Sequence, residues 1–111
     1  MLRVVGLAIE IELEESVEEQ ARLGQLWHVV LLDDDDHTYG YVVDMLMAVF
    51  GHAQETAYRM TVEVDSTGRA IVWTGQREVA EFKQERIHGF GADPALVRSA
   101  GSMTAVLEPA D

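Results

Sequence analysis

Residues 27–39 read Trp-His-Val-Val-Leu-Leu-Asp-Asp-Asp-Asp-His-Thr-Tyr, and no other stretch limits the fold as tightly. An apolar run of strand length stops at four consecutive aspartates, and an apolar pattern of helical period begins directly after them. The run predicts a buried strand, the aspartates a loop, and Thr38-Tyr39 the entrance to a helix. Four carboxylates in one loop repel each other and gain nothing from an apolar core. One acceptor at the helix N-cap, worth ~1 kcal/mol, is enough for an orphan amide, and Thr38 can supply it. The surplus acid leaves three roles open: a solvated loop, a cation site, or a grip on a positively charged partner.

The rest of the composition narrows the field. A chain of 111 residues, 48% apolar and 25% charged, fits one globular domain with a modest core. Without cysteine, it has no disulfide framework, zinc-thiolate site or thiol nucleophile. A net charge of -12 argues against nucleic acid and anionic membranes as partners, and suits a basic partner or a cationic ligand. Glu10 and Glu12 interrupt the first apolar run, which therefore does not read as a signal peptide. No apolar segment approaches the ~20 residues of a membrane span, so the cytosol is the expected compartment. Residues 1–26 stand apart. Leu7, Ile9, Ile11 and Leu13 alternate with charged or small residues, and an acidic, core-poor stretch follows. They are expected to form a flexible acidic arm, or else an extra strand, ahead of a folded domain over 27–111.

Within that domain, Val42, Val43, Leu46, Met47, Val49 and Phe50 predict a helix over 39–50, ended by Gly51. Ala57, Met60, Thr61 and Val64 predict a second, stopped by the turn cluster at 65–68. Residues 69–74 form a strand pattern. A third helix follows from Glu78 to about Gly89, with Val79, Phe82 and Ile87 facing inward. Residues 95–102 form a connection of open conformation, and 103–108 a last strand. The order β-α-α-β-α-β predicts an α+β domain, a small three-stranded antiparallel sheet with three helices on one face.

Enzymatic signatures are missing. His28, His37, His52 and His88 fall at no catalytic spacing, and neither G-x-S-x-G nor H-E-x-x-H occurs. The aspartate run lacks the alternation and closing glutamate of a calcium loop, so neither a metal nor another cofactor is expected.

Four segments, taken together, carry a resemblance. W-H-V-V-L-L-D-D-D at 27–35, Y-V-V-D-M-L at 41–46, G-R-A at 68–70 and E-V-A-E-F-K at 78–83, at these separations, resemble the ClpS adaptor family. The resemblance spans 27–83 plus the terminal strand. It implies a domain that is not an enzyme. Such a domain recognises proteins with a large hydrophobic first residue and hands them to a hexameric AAA+ unfoldase, ClpA or ClpC, for degradation by ClpP. By the match, Asp33 and Asp34 accept hydrogen bonds from the α-amino group and first peptide, while Asp35 and His37 shape the loop. Val42, Thr61, Val64 and Met103 line the side-chain pocket, with Tyr39 at its rim. Glu78 and Lys83 fall on the unfoldase-facing surface, and the arm takes part in handover.

The chain also departs from the family pattern. Asp33 replaces a usual Asn, and Asp65 replaces a His that commonly contacts the α-amino group. His37-Thr38-Tyr39 stands where Thr-Pro-Met is usual, and Thr61 replaces a Met. The region 87–102 is longer than typical. These changes favour a free amino terminus at least as strongly. They also alter the choice of side chain, Thr61 by widening the pocket and Tyr39 by narrowing its entrance. The alternative is a ClpS-like module that docks on a Clp unfoldase with altered or lost reading of the first residue.

Overall fold

A computed structural model describes residues 24–110. The arm expected over 1–26 lies outside the described residues except for Gly24, Gln25 and Leu26. The elements run β1 (Leu26–Leu32), α1 (Tyr39–Phe50), α2 (Gln54–Thr67), β2 (Arg69–Gly75), α3 (Arg77–His88) and β3 (Ala105–Ala110). The strands form one antiparallel sheet in the order β2-β1-β3. The fold is thus the α+β arrangement that the periodicities predict.

The unbroken apolar run explains why β1 is central. Val29, Val30 and Leu31 are all fully buried, as befits a strand paired on both sides and covered on both faces. Val29 and Leu31 face the helices in the main core, with Leu46, Val49, Ala80 and Ile87. Val30 points to the opposite face, outside that core cluster. There an ion pair between Arg69 of β2 and Glu108 of β3 reaches across the central strand. Pro109 sits on the edge strand β3, where a missing N–H costs no interior ladder bond.

Caps set the helix ends. Thr38 accepts the Tyr41 amide at the start of α1, and Gly51 closes the helix at φ 73°, a left-handed conformation open to glycine. α2 runs to Thr67, three residues beyond Val64. Ser66 and Thr67 return their hydroxyls to the Val62 and Glu63 carbonyls, so residues that read as a turn stay helical. Gly68, at φ 89°, then ends the helix.

α3 differs from expectation on one face. Ile87 is fully buried, but Val79 is 38% exposed and Phe82 55% exposed. The inward stripe is instead Ala80, Lys83, Gln84 and Ile87, at helical spacing. Its polar members are satisfied: Lys83 Nζ donates to the Val49 carbonyl at 2.8 Å, and Gln84 Nε2 to the Ala105 carbonyl at 2.8 Å. Ala80 and Ile87 fill the inward face, while Val79 and Phe82 stay outside. On α1, Met45 is buried, whereas Met47, counted in the apolar pattern of that helix, is exposed.

Candidate functional site

The end of β1 and the end of α2 are brought together by backbone hydrogen bonds. The Asp33 amide donates to the Gly68 carbonyl at 3.0 Å, and the Leu32 amide to the Thr104 carbonyl at 3.0 Å. The acidic loop therefore leaves the sheet between the last turn of α2 and the approach to β3. A hollow of about 40 Å³ lies there, lined by Asp33, Asp34, His37, Tyr39, Val42, Thr61, Val64, Asp65 and Met103. Nine of the ten residues expected to surround a ligand share this lining. The tenth, Asp35, does not: its backbone carbonyl is held by the Arg98 guanidinium.

The floor is hydrocarbon. Val42, Thr61, Val64 and Met103 are all buried. Thr61 behaves as an apolar wall because its hydroxyl donates to the Ala57 carbonyl one turn earlier, at 2.8 Å. The mouth is acidic and partly shut. Tyr39 donates its phenolic hydrogen to the Asp65 carboxylate, linking the start of α1 to the last turn of α2. The remaining space has room for about three waters.

Asp34 organises the loop with one oxygen. Its Oδ1 accepts from the Asp36 amide at 2.9 Å and lies 2.7 Å from His37 Nδ1. Oδ2 has no hydrogen-bond partner among the described residues. The His37 side chain is only 3% exposed, and its Nε2 donates to the Gly101 carbonyl at 2.7 Å. Burial, foremost, raises the Asp33 carboxyl above its ordinary value. A hydrogen bond at the Asp34 backbone pulls it down, and the charges of Asp65, Asp34 and Asp35 push it up again. A cation arriving at the mouth relieves that repulsion.

A buttress that sequence reasoning missed stands behind the loop. Asp93 is buried; its Oδ2 accepts the Thr38 amide at 2.6 Å and its Oδ1 the Ala95 amide at 2.9 Å. The Tyr41 hydroxyl donates to the Gly91 carbonyl, and the Tyr41 ring packs 5.5 Å from Phe90. Arg98 adds an ion pair to Asp36 at 3.5 Å. The long 89–104 connection thus fixes the acidic loop from outside. Nothing in the sequence joins Asp93 to Thr38 across 55 positions.

Glu78 and Lys83 lie away from this hollow, on α3. Lys83 is tied to the Val49 carbonyl and sits 5.7 Å from the Phe50 ring. Among the described residues, no group of three or more His, Cys, Asp or Glu side chains is arranged to hold a metal, and no helix is long and apolar enough to cross a membrane.

Acceptors above and hydrocarbon below suit a ligand that is cationic at one point and apolar beside it. Fold and site together define a small α+β binding domain. The family model described as "ATP-dependent Clp protease adaptor protein ClpS" matches residues 22–94. The ClpS adapter of Nautilia profundicola is 36% identical over 85 residues, covering 76% of this chain and 81% of its own. That of Streptomyces coelicolor is 30% identical over 86 residues, covering 75% and 90%. In structure, the chain is similar to Agrobacterium tumefaciens ClpS2 bound to L-phenylalaninamide, with a TM-score of 0.67 and 27% identity over 78% of this chain and 98% of that one. The chain belongs to the ClpS family of ATP-dependent Clp protease adaptors. It is an adaptor, not an enzyme.

Proposed function

We propose that this adaptor acts in the cytosol on proteins whose first residue is large and hydrophobic, and delivers them to an AAA+ unfoldase, ClpA or ClpC, for degradation by ClpP. One observation carries the reading: carboxylates of Asp33, Asp34 and Asp65 stand at the rim of a hollow floored by Val42, Thr61, Val64 and Met103. A protein N-terminus presents an ammonium group beside its first side chain, and this site offers acceptors and hydrocarbon in that order. The free Oδ2 of Asp34 and the crowded Asp33 carboxylate are the ammonium acceptors. His37 holds Asp34 in place, and Tyr39 is the gate. L-phenylalaninamide, the ligand of the similar ClpS2, has this same pairing of amine and aromatic side chain.

The magnitudes suit a transient adaptor. Burying an aromatic side chain is worth roughly 4–6 kcal/mol, and each charge-assisted hydrogen bond roughly 1.5–3 kcal/mol. After the costs of association, a dissociation constant of about 1 μM follows. For the unfoldase contact, Glu78 and Phe82 are four residues apart on one face of α3, and Phe82 and Val79 leave apolar surface beside that charge.

A second reading has its own observation. The Tyr39–Asp65 hydrogen bond narrows the hollow to a volume no aromatic ring can enter. A permanently closed gate would leave a docking module that no longer reads the first residue. Titration with otherwise identical peptides beginning Phe, Leu, Ile, Ala and acetyl-Phe separates the two. The adaptor reading expects saturable binding of Phe and Leu peptides and loss on acetylation. Equal affinity for Phe and acetyl-Phe rejects it.

A further inference from the structure

His37 stands between two acceptors. Its Nδ1 lies 2.7 Å from Asp34 Oδ1, an oxygen that already accepts the Asp36 amide, and its Nε2 lies 2.7 Å from the Gly101 carbonyl. A neutral imidazole has one N–H and one bare nitrogen, so it can donate to only one of the two. The bare nitrogen would then face an oxygen lone pair at hydrogen-bonding distance. With the side chain 3% exposed, water has little room to come between them. Only the doubly protonated ring satisfies both contacts.

The charges around the ring favour that form. Asp33, Asp34, Asp35 and Asp36 precede it on its own loop, and Asp65 of α2 lines the same hollow. From the connection before β3, Asp93 faces it: that carboxyl is held below its ordinary value first by the Thr38 amide, and the His37 charge lowers it further. α1 contributes the Tyr41 ring, packed against the imidazole at 4.6 Å. The nearby cation Arg98 is engaged by the Asp35 carbonyl and the Asp36 carboxylate.

We propose that His37 is a doubly protonated bolt, a positioning residue that ties the acceptor for the cargo's α-amino group to the floor of the side-chain pocket. The proposal rests on the reading of the hollow as the site for the first residue. One end of the bolt is Asp34, whose Oδ2 faces the ligand. The other is Gly101, two residues before Met103 in the floor. When the ring loses a proton, the charge-assisted bond to Asp34 is the stronger of the two, so the Gly101 contact opens. The Met103 segment then loses a tie to the acidic loop, and cargo binds more weakly.

The test begins with histidine-ring 15N NMR of the full chain at pH 7. Both ring nitrogens of His37 are expected at imidazolium shifts with a proton on each; the pattern of a neutral tautomer overturns the bolt. As pH rises, the Met103 methyl signal should move together with the ring, and a methyl indifferent to the ring's titration overturns the coupling. Both readings use the unaltered protein, so they stand even if a variant fails to fold. Fluorescence polarisation with a Phe peptide from pH 6 to pH 9 then compares wild type with His37→Gln, which keeps an N–H donor but no charge. Deprotonation of the cargo's own amine weakens both proteins alike and cancels in the ratio. The variant is expected to bind about tenfold more weakly at pH 6, with the ratio falling toward one by pH 9. A constant ratio would mark His37 as a mere spacer and overturn the proposal. Equal binding of acetylated and free Phe peptides would instead sink the reading of the hollow, and the bolt's part in cargo binding with it, while the ring signals still report the bolt itself.

Discussion

The Tyr39 phenol and the Asp65 carboxylate share a hydrogen bond that narrows the hollow's mouth from opposite helices. That bond, above all, holds the Tyr39 hydroxyl to its proton, and its pKa is pushed up to about 12 from 10.0. The raised value favours the neutral phenol in the folded state, so its stabilising contribution is present below pH 10 and disappears as pH rises through about 12. In an absorbance titration Tyr39 should ionise late, as should Tyr41, whose burial also raises its pKa, and Asp65→Asn should bring Tyr39 alone back toward the ordinary range. Tyr39→Phe keeps the ring but removes the latch. It is expected to speed association of a Phe peptide in stopped-flow mixing, and an unchanged rate would mean that the hydroxyl does not gate entry.

Asp34 has a divided task, Oδ1 for the loop and Oδ2 for the ligand. Asp34→Ala should weaken Phe-peptide binding by about tenfold or more, the loss of one charge-assisted hydrogen bond. Asp34→Asn keeps an oxygen for the Asp36 amide and separates the two tasks. It should retain the wild-type melting temperature better than Asp34→Ala, yet still bind the peptide more weakly. Calorimetric titration and thermal melts of the two variants measure both quantities.

Asp93 braces the acidic loop by capping the amide of Thr38, and that hydrogen bond is the main reason its carboxyl lies below the ordinary 3.8. A depressed value means that the ionised form is preferred in the folded protein. Its stabilisation is present above pH 3.8 and is lost as pH falls through the lower folded value. Asp93→Asn should therefore melt lower than the wild type at pH 7, with the gap shrinking in acid. A constant gap from pH 7 to pH 2 would show that the charge is irrelevant.

The revised face of α3 gives a stability test. Ile87 is fully enclosed, so Ile87→Ala should cost about 2–5 kcal/mol in denaturant unfolding. Phe82 is more than half exposed, and Phe82→Ala should stay within about 0.5 kcal/mol. Comparable losses at both positions would restore the inward Phe82 that periodicity alone suggested.

The fold was legible wherever apolar residues followed one period without competition. The run at 27–32 announced a buried strand, and Val42 through Val49 announced a helix with a buried face. α3 misled because, apart from Ile87, its inward stripe is the small Ala80 and the polar Lys83 and Gln84, whose hydrogen bonds to the Val49 and Ala105 carbonyls are invisible until the chain folds. The site residues Asp33, Asp34, Val42, Thr61, Val64 and Met103 came from resemblance, since nothing in their spacing alone joins a loop, two helices and the connection that precedes β3. Asp65 was read as an added charge at the mouth. Its partner Tyr39 could be found only in three dimensions, and so could the Asp93 brace, because both depend on contacts between distant segments.

The most direct test of the hollow as the site of the first side chain is a methyl NMR experiment with L-phenylalaninamide. The account predicts nuclear Overhauser contacts from the ligand's ring to the methyl groups of Val42, Val64 and Met103, abolished when its amine is acetylated. Ring contacts to Val79 or other exposed methyls, with Val64 and Met103 unmoved at saturation, would contradict it.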